Sequence, residues 1–189
     1  YGYRVIGENH QQIGIKCDHQ KLLIDPYAKA LNRPAVWNKT QYDGDSQFMI
    51  PKGIVQNPEV YLPKSLKPKT PLDQTVIYEA HVKGLTQLHP DVPEQYKGKF
   101  LGVCQPVIVH HLKSLGITAI QLMPVAAFMP EPYITDKGLT NYWGYNPINY
   151  FCPDPRYVVD DGVAEFKTML NTLHEAGIEV ILDLSRIYI

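Results

Sequence analysis

The sequence predicts a β-rich segment followed by an α/β unit built on a parallel sheet, and three observations carry this. Residues 1 to about 70 hold short strand-like fragments without a helical period. The composition then turns polar and proline-bearing at Lys64-Ser-Leu-Lys-Pro-Lys-Thr-Pro71. Beyond it, apolar strand patterns alternate with amphipathic helix patterns. The chain has 189 residues, 44% of them hydrophobic, enough to bury one sizeable core, or one core and part of another.

The elements follow in order. Tyr3-Arg-Val-Ile6, Leu22-Leu-Ile24 closing at Asp25-Pro26, and Phe48-Met-Ile50 closing at Pro51 read as strands, together the makings of half a small sandwich. Thr75 to Val82 reads as the first strand of the second unit. Pro106 suits a first helical position, with Ile108, Leu112 and Leu115 on one face and Gly116 as the stop. Ile117 to Met123 is apolar enough for a strand buried on both faces, and Pro124 ends it. A loop of about 35 residues leads to Asp160-Asp161, good caps for a helix carrying Val163, Phe166, Leu170 and Leu173 before Gly177. Ile178 to Leu184 is a third strand, so the order β-α-β-α-β implies a parallel sheet with crossover helices.

Composition excludes several classes of function. Lys and Arg number 18 against 19 Asp and Glu, so no overall field draws nucleic acid or an anionic membrane. No apolar run reaches the roughly 18 residues of a membrane span, and no signal-like segment opens the chain. Three widely spaced cysteines, Cys17, Cys104 and Cys152, suit neither a disulfide framework nor a closed zinc site, and point to a reducing cytoplasm. Thirteen Tyr against 5 Phe is an excess of rings with a polar tip, which stack well on flat apolar surfaces such as sugar faces.

In parallel sheets, chemistry collects beyond the carboxyl ends of the strands. The long loop after Met123 is therefore of interest, since Asn141-Tyr-Trp-Gly-Tyr-Asn-Pro-Ile-Asn-Tyr-Phe151 crowds aromatics around a glycine able to turn sharply. Trp143 and Tyr145 either stack on a sugar or pack into a local mini-core, and the pattern leaves both open. Asp183, at the carboxyl end of the last strand, either binds substrate or caps a turn. Glu79 and His81 share a strand face, where a buried hydrogen-bonded pair is the better reading and a two-ligand metal site the poorer. His110 and His111 point about 100° apart on a helix and read as surface or packing residues. Arg156, in Pro153-Asp-Pro-Arg-Tyr157, reads as structural. No G-x-S-x-G, Walker A or G-x-G-x-x-G sequence is present.

Several stretches taken together resemble one family. They are Tyr1-Gly-Tyr-Arg-Val5; Lys21-Leu-Leu-Ile-Asp-Pro-Tyr-Ala-Lys-Ala30; Val76-Ile-Tyr-Glu-Ala-His-Val-Lys-Gly84 with Thr86 and Leu88-His-Pro-Asp-Val-Pro93; Tyr142-Trp-Gly-Tyr-Asn146 with Pro153 to Tyr157; and Phe166 through His174 to Asp183. The series is similar to the isoamylase-type glycogen debranching enzymes of the α-amylase family (glycoside hydrolase family 13). The resemblance implies a carbohydrate-binding-type β-sandwich over residues 1–70 and the start of a TIM (β/α)8 barrel over 71–189. It also implies hydrolysis of α-1,6 branch linkages in glycogen or a related branched α-glucan, with retention and without a cofactor. Two carboxyl groups would act as nucleophile and acid/base. Tyr145 matches the family's aromatic that stacks beside the scissile bond, and Asp183 the aspartate that shapes that subsite.

After this aspartate the family has three residues and then Asn-His, where this chain has Ile187 and Tyr188, and no residue matches the catalytic carboxylates. A closed barrel needs eight strand-helix units over about 250 residues, and Thr75 to Ile189 offers three strands. The expectation is a debranching-enzyme fragment cut at both ends, with Ser185 to Ile189 a misread tail and the fragment itself inactive. Alternatives are another α-amylase relative of the pullulanase or maltooligosyl-trehalose hydrolase type, a glucan-binding fragment without catalysis, and a complete small doubly wound domain.

Overall fold

The structure is a computed structural model that describes residues 1–39, 43–57 and 65–184. Its centre is a parallel sheet of three strands, β1 (Ile77–Ala80), β2 (Ala119–Leu122) and β5 (Glu179–Leu182), in the order β1-β2-β5. The register places Ala80, Leu122 and Leu182 in one row. His81, Met123 and Asp183 therefore follow side by side at the carboxyl edge. β2 runs through the middle as the sequence requires, with Ala119, Ile120 and Leu122 fully buried.

Between β1 and β2 lie three short helices, α1 (Val82–Thr86), α2 (Phe100–Val103) and α3 (Pro106–Ser114). α3 begins at Pro106, whose missing N–H costs nothing at the first helical position. It stops where Gly116 takes φ 74° and the Ile117 amide returns to the Leu112 carbonyl. Ile108 and Leu112 point inward as expected; Leu115 does not, because the helix has ended there and its side chain is 52% exposed.

The stretch between β2 and the last helix is a correction to the expected loop. It forms an antiparallel hairpin of β3 (Ala126–Phe128) and β4 (Pro147–Pro153), with α4 (Pro132–Thr135) inside it. Asp154, fully buried, holds the base of this hairpin: Oδ1 accepts from the Arg156 amide at 2.8 Å and Oδ2 from the Phe128 amide at 3.0 Å. Burial pushes the Asp154 carboxyl above its ordinary value, against the pull of Arg156 and the two amides. Arg156 is structural as read from the sequence. Its guanidinium lies over the Phe128 ring at 3.9 Å and donates to the Phe128 carbonyl.

α5 (Gly162–Glu175) is capped by Asp161, whose Oδ1 accepts from the Val163 and Ala164 amides. Its deepest residues are Met169 and Leu173; Val163, Phe166 and Leu170 are only half-buried. Buried Glu165 is satisfied by the amides of Val159 and Asp160. One core joins Phe100, Val103, Ile108, Leu112, Ile120, Leu122, Met169 and Leu173.

In the first 57 residues, pairing among the described residues is limited to single bridges, Tyr3 to Leu23, His10 to Ile15 and Leu31 to Gly53. The strand expected at Phe48–Ile50 is corrected. Ser46–Phe48 is a 3-10 turn, because Asp45 accepts from the Gln47 amide and diverts the backbone into a local cap. This segment packs on the hairpin through Ala28, Leu31, Ala127 and Cys152, and Asn149 donates to the Asp25 carbonyl. Of the expected linker, Lys64 lies outside the described residues, as do Ser185 to Ile189. All three cysteines are free thiols, and among the described residues no helix is long and apolar enough to cross a membrane.

Phe100 sits edge-on to Tyr157 and Phe166, with centroids 5.7 and 5.3 Å away, and has no exposure. Phe100→Ala should therefore cost about 3–5 kcal/mol in urea unfolding, whereas Leu88→Ala, at a side chain 92% exposed, should stay within about 0.5 kcal/mol. Equal effects would mean that the core is not centred where described.

Candidate functional site

The carboxyl edge of the sheet carries one continuous polar and aromatic cluster, and His81 organises it. Instead of ending a strand beside Glu79, His81 caps α1: Nδ1 accepts from the amides of Lys83 and Gly84, each at 3.1 Å. An Nδ1 that accepts twice cannot carry the proton, so Nε2 does, and it donates to the Tyr142 carbonyl at 2.8 Å. The Tyr157 hydroxyl lies 3.2 Å from the same nitrogen. The expected buried Glu79–His81 pair is thus corrected. Glu79 is exposed and accepts from Gln121 across the sheet, because the strand ends at Ala80 and His81, turned into the cap of α1, no longer projects from the face it would share with Glu79. No group of residues able to hold a metal ion occurs among the described residues.

His81 fixes the aromatic turn by its ring as well as by its hydrogen bond. Tyr142 stacks on it at 4.1 Å and 14°, and Trp143 stands edge-on to both rings, at 6.3 Å from His81 and 5.1 Å from Tyr142. Gly144 then turns the chain with φ 84°. A Cβ there would lie 3.1 Å from the Pro124 carbonyl oxygen and 3.3 Å from Phe128, so both the dihedral and the space call for glycine. Asn141 braces the same turn, accepting from the Gly144 amide while its Nδ2 donates to both oxygens of Glu131.

The turn delivers Tyr145 to the end of β5, where its hydroxyl donates a hydrogen bond to Asp183 Oδ2. This bond, then burial and the negative charges of Asp183 and Glu79, push the Tyr145 phenol up to about 12. The structure thus joins Tyr145 and Asp183 directly and sets Trp143 one turn away, beside His81. Trp143 is 54% and Tyr145 44% exposed, so neither ring is consumed in a mini-core. His110 and His111 lie away on α3 and take no part. Sequence reading missed His81 as a clamp. The available signal was the position of His81 directly before Val-Lys-Gly, where a side-chain acceptor can start a helix.

Comparison with known proteins places this edge in context. No family model matches the chain. A glycogen operon protein GlgX homolog of Mycobacterium tuberculosis is 42% identical over 201 residues, covering 97% of this chain and 28% of its own length. A glycogen debranching enzyme of Yersinia enterocolitica is likewise 42% identical, covering 97% of this chain and 29% of that enzyme. Among solved structures, the catalytic module of the pneumococcal glycogen-degrading virulence factor SpuA superimposes with TM-score 0.66 and 31% identity over 86% of this chain and 25% of that one. A Paenibacillus barengoltzii pullulanase in complex with maltohexaose and α-cyclodextrin gives 0.62 and 28%, over 86% and 26%.

By fold, the chain is similar to part of α-amylase-family structures such as SpuA and pullulanase. Within that class the resemblance read from the sequence stands: over nearly its whole length, the chain is homologous to one segment of the glycogen debranching enzymes. It spans less than a third of the length of the curated relatives it matches.

Two predictions follow from the geometry. Burial, and secondarily the Lys83 charge, hold the His81 imidazole below its ordinary value, while the bond to Tyr142 acts the other way. The unfolded chain therefore binds the proton more readily. The stabilisation is complete above about pH 6.5 and is lost as pH falls through the lower folded value. Asparagine keeps a capping oxygen without titrating there, so His81→Asn should flatten the fall in Tm on this acid side; parallel wild-type and variant curves would refute the assignment. Separately, NMR of the tyrosine ζ carbons should find Tyr145 titrating at about 12 and, in Asp183→Asn, returning toward roughly 10. An unmoved resonance would remove the Tyr145–Asp183 bond from the account.

Proposed function

We propose that this chain supplies part of the substrate-binding edge of a glycogen-debranching hydrolase, acting on α-1,6 branch linkages of glycogen or a related branched α-glucan. The observation that carries the reading is the Tyr145–Asp183 hydrogen bond at the carboxyl end of β5, where parallel-sheet enzymes gather their chemistry. It orients the Tyr145 ring and leaves Asp183 Oδ1 to accept from a sugar hydroxyl. An exposed aromatic face beside a carboxylate acceptor matches the two sides of a glucose ring, apolar on its face and hydroxylated on its rim. Trp143 extends the apolar surface.

In this reading, residues 71–189 begin a (β/α)8 barrel and residues 1–70 belong to a carbohydrate-binding sandwich that packs against it. The parallel order β1-β2-β5 and the TM-scores to SpuA and pullulanase support the barrel. The whole protein works by a retaining mechanism, in which one carboxylate attacks the anomeric carbon to give a glycosyl-enzyme and a second carboxyl protonates the leaving oxygen and then activates water. Tyr145, Trp143 and Asp183 bind and orient substrate; none of them breaks the bond. The debranching reading is preferred to pullulanase because the relatives named for debranching are 42% identical, against 28% for the pullulanase.

The test is retention in glycogen-containing native gels. The chain should be retarded without releasing reducing ends, and Tyr145→Ala should weaken binding roughly fivefold, the scale of one aromatic stacking contact. Unchanged retardation would remove this aromatic from the site. Release of reducing sugar would overturn the binding-only role of these residues.

A further inference from the structure

Against the aromatic turn, bordered by His81, Asn141 and Tyr142 and not by Trp143, Tyr145 or Asp183, lies a pocket of about 270 Å³ that the proposed function does not use. Its wall holds four cationic residues, Lys83, Lys97, Lys99 and Arg156, and no carboxylate. Lys97 is answered by Glu94 at 2.8 Å and Arg156 by Asp154 at 3.7 Å. Lys83 and Lys99 form no ion pair among the described residues; the Lys99 ammonium donates only to the Arg156 carbonyl, at 2.7 Å. Glu165 acts on Lys99 through space, but its oxygens are committed to the Val159 and Asp160 amides. Burial first, and Lys83 as a lesser cause, lower the Lys99 ammonium below its ordinary value, while Glu165 and Asp154 act in the opposite sense.

The backbone brings the walls of this pocket close together. Gly98 takes φ 69°, and a Cβ there would fall 2.6 Å from Gln87 Oε1 and 3.1 Å from Lys83 Cγ. The turn carrying Lys97 and Lys99 therefore approaches α1 closely, with the Gly98 amide anchored to Thr86 Oγ1 at 2.8 Å. Gathering like charges in a small pocket costs free energy unless an anion answers them.

We propose that this pocket binds a phosphoryl group, carried by a small phosphorylated sugar or present as free phosphate. Two ammonium groups without carboxylate partners match the near-double negative charge of a phosphate monoester better than the single charge of a carboxylate. Gln87 and Thr140 on the same wall offer neutral partners for hydroxyls. The pocket is too small and too local for a nucleic acid, and the near-neutral chain has no wider field to steer one.

Calorimetric titration of the chain at low salt with glucose 6-phosphate, inorganic phosphate and glucose tests this. The two phosphates should bind and glucose should not. Tighter binding of the ester assigns the site to a phosphorylated sugar, and equal binding to the phosphoryl group alone. Lys83→Glu, at an exposed position that leaves the fold intact by circular dichroism, should weaken binding roughly tenfold. Lys113→Glu, on the distant face of α3, should not. Absence of binding by either phosphate, binding unaffected by Lys83→Glu, or equal loss in Lys113→Glu would each overturn the proposal.

Discussion

The carboxyl edge of this molecule depends on one imidazole held in one tautomer. His81 accepts two helix-start amides on Nδ1 and donates from Nε2 to a carbonyl 61 residues away. The two nitrogens do opposite work, so the arrangement fails if either changes its proton. Among the described residues, the bond to Tyr142 is what ties the end of β1 to the backbone of the aromatic turn. That turn aims Tyr145 at Asp183 and, together with His81 itself, lines the basic pocket, so both candidate sites share one support. A residue of this kind is a positioning residue, and its effect is felt through the geometry of others.

Two buried carboxylates perform the matching task deeper in the fold. Asp154 and Glu165 have lost most of their water, and each is compensated chiefly by backbone amides. Asp154 thereby pins both ends of the β3–β4 excursion, while Glu165 pins the approach to α5. Backbone donors are fixed by the fold. Compensation of this kind rewards one chain path and penalises its neighbours.

What the sequence made legible were the features governed by local rules. The helix stops at Gly116 and Gly177, the cap at Asp161, the three parallel strands and the turn at Gly144 follow from spacing and from residues with restricted conformational freedom. The hairpin was hidden because β3 is only three residues long, its register with β4 is irregular, and β4 is bracketed by Pro147 and Pro153, which read as punctuation. The strand expected at Phe48 lost to a side-chain cap at Asp45. Of the candidate site, Tyr145, Trp143 and Asp183 were found as residues, but their partnership was not readable, since Tyr145 and Asp183 are 38 positions apart. The basic pocket was invisible for the same reason. Lys83, the turn carrying Lys97 and Lys99, and Arg156 lie in separate parts of the sequence, and composition alone showed a near-neutral chain.

The strand order has a consequence in time. β2 pairs with β1 on one side and with β5 on the other, and some 56 residues of chain separate β2 from β5. During synthesis the first parallel pair is complete while the free edge of β2 still waits for a partner. The intervening chain forms its own antiparallel hairpin, with backbone partners inside the excursion. A segment that satisfies itself does not compete for the waiting edge. The hairpin thus keeps the backbone groups of β3 and β4 paired with each other and away from the β2 edge that β5 fills.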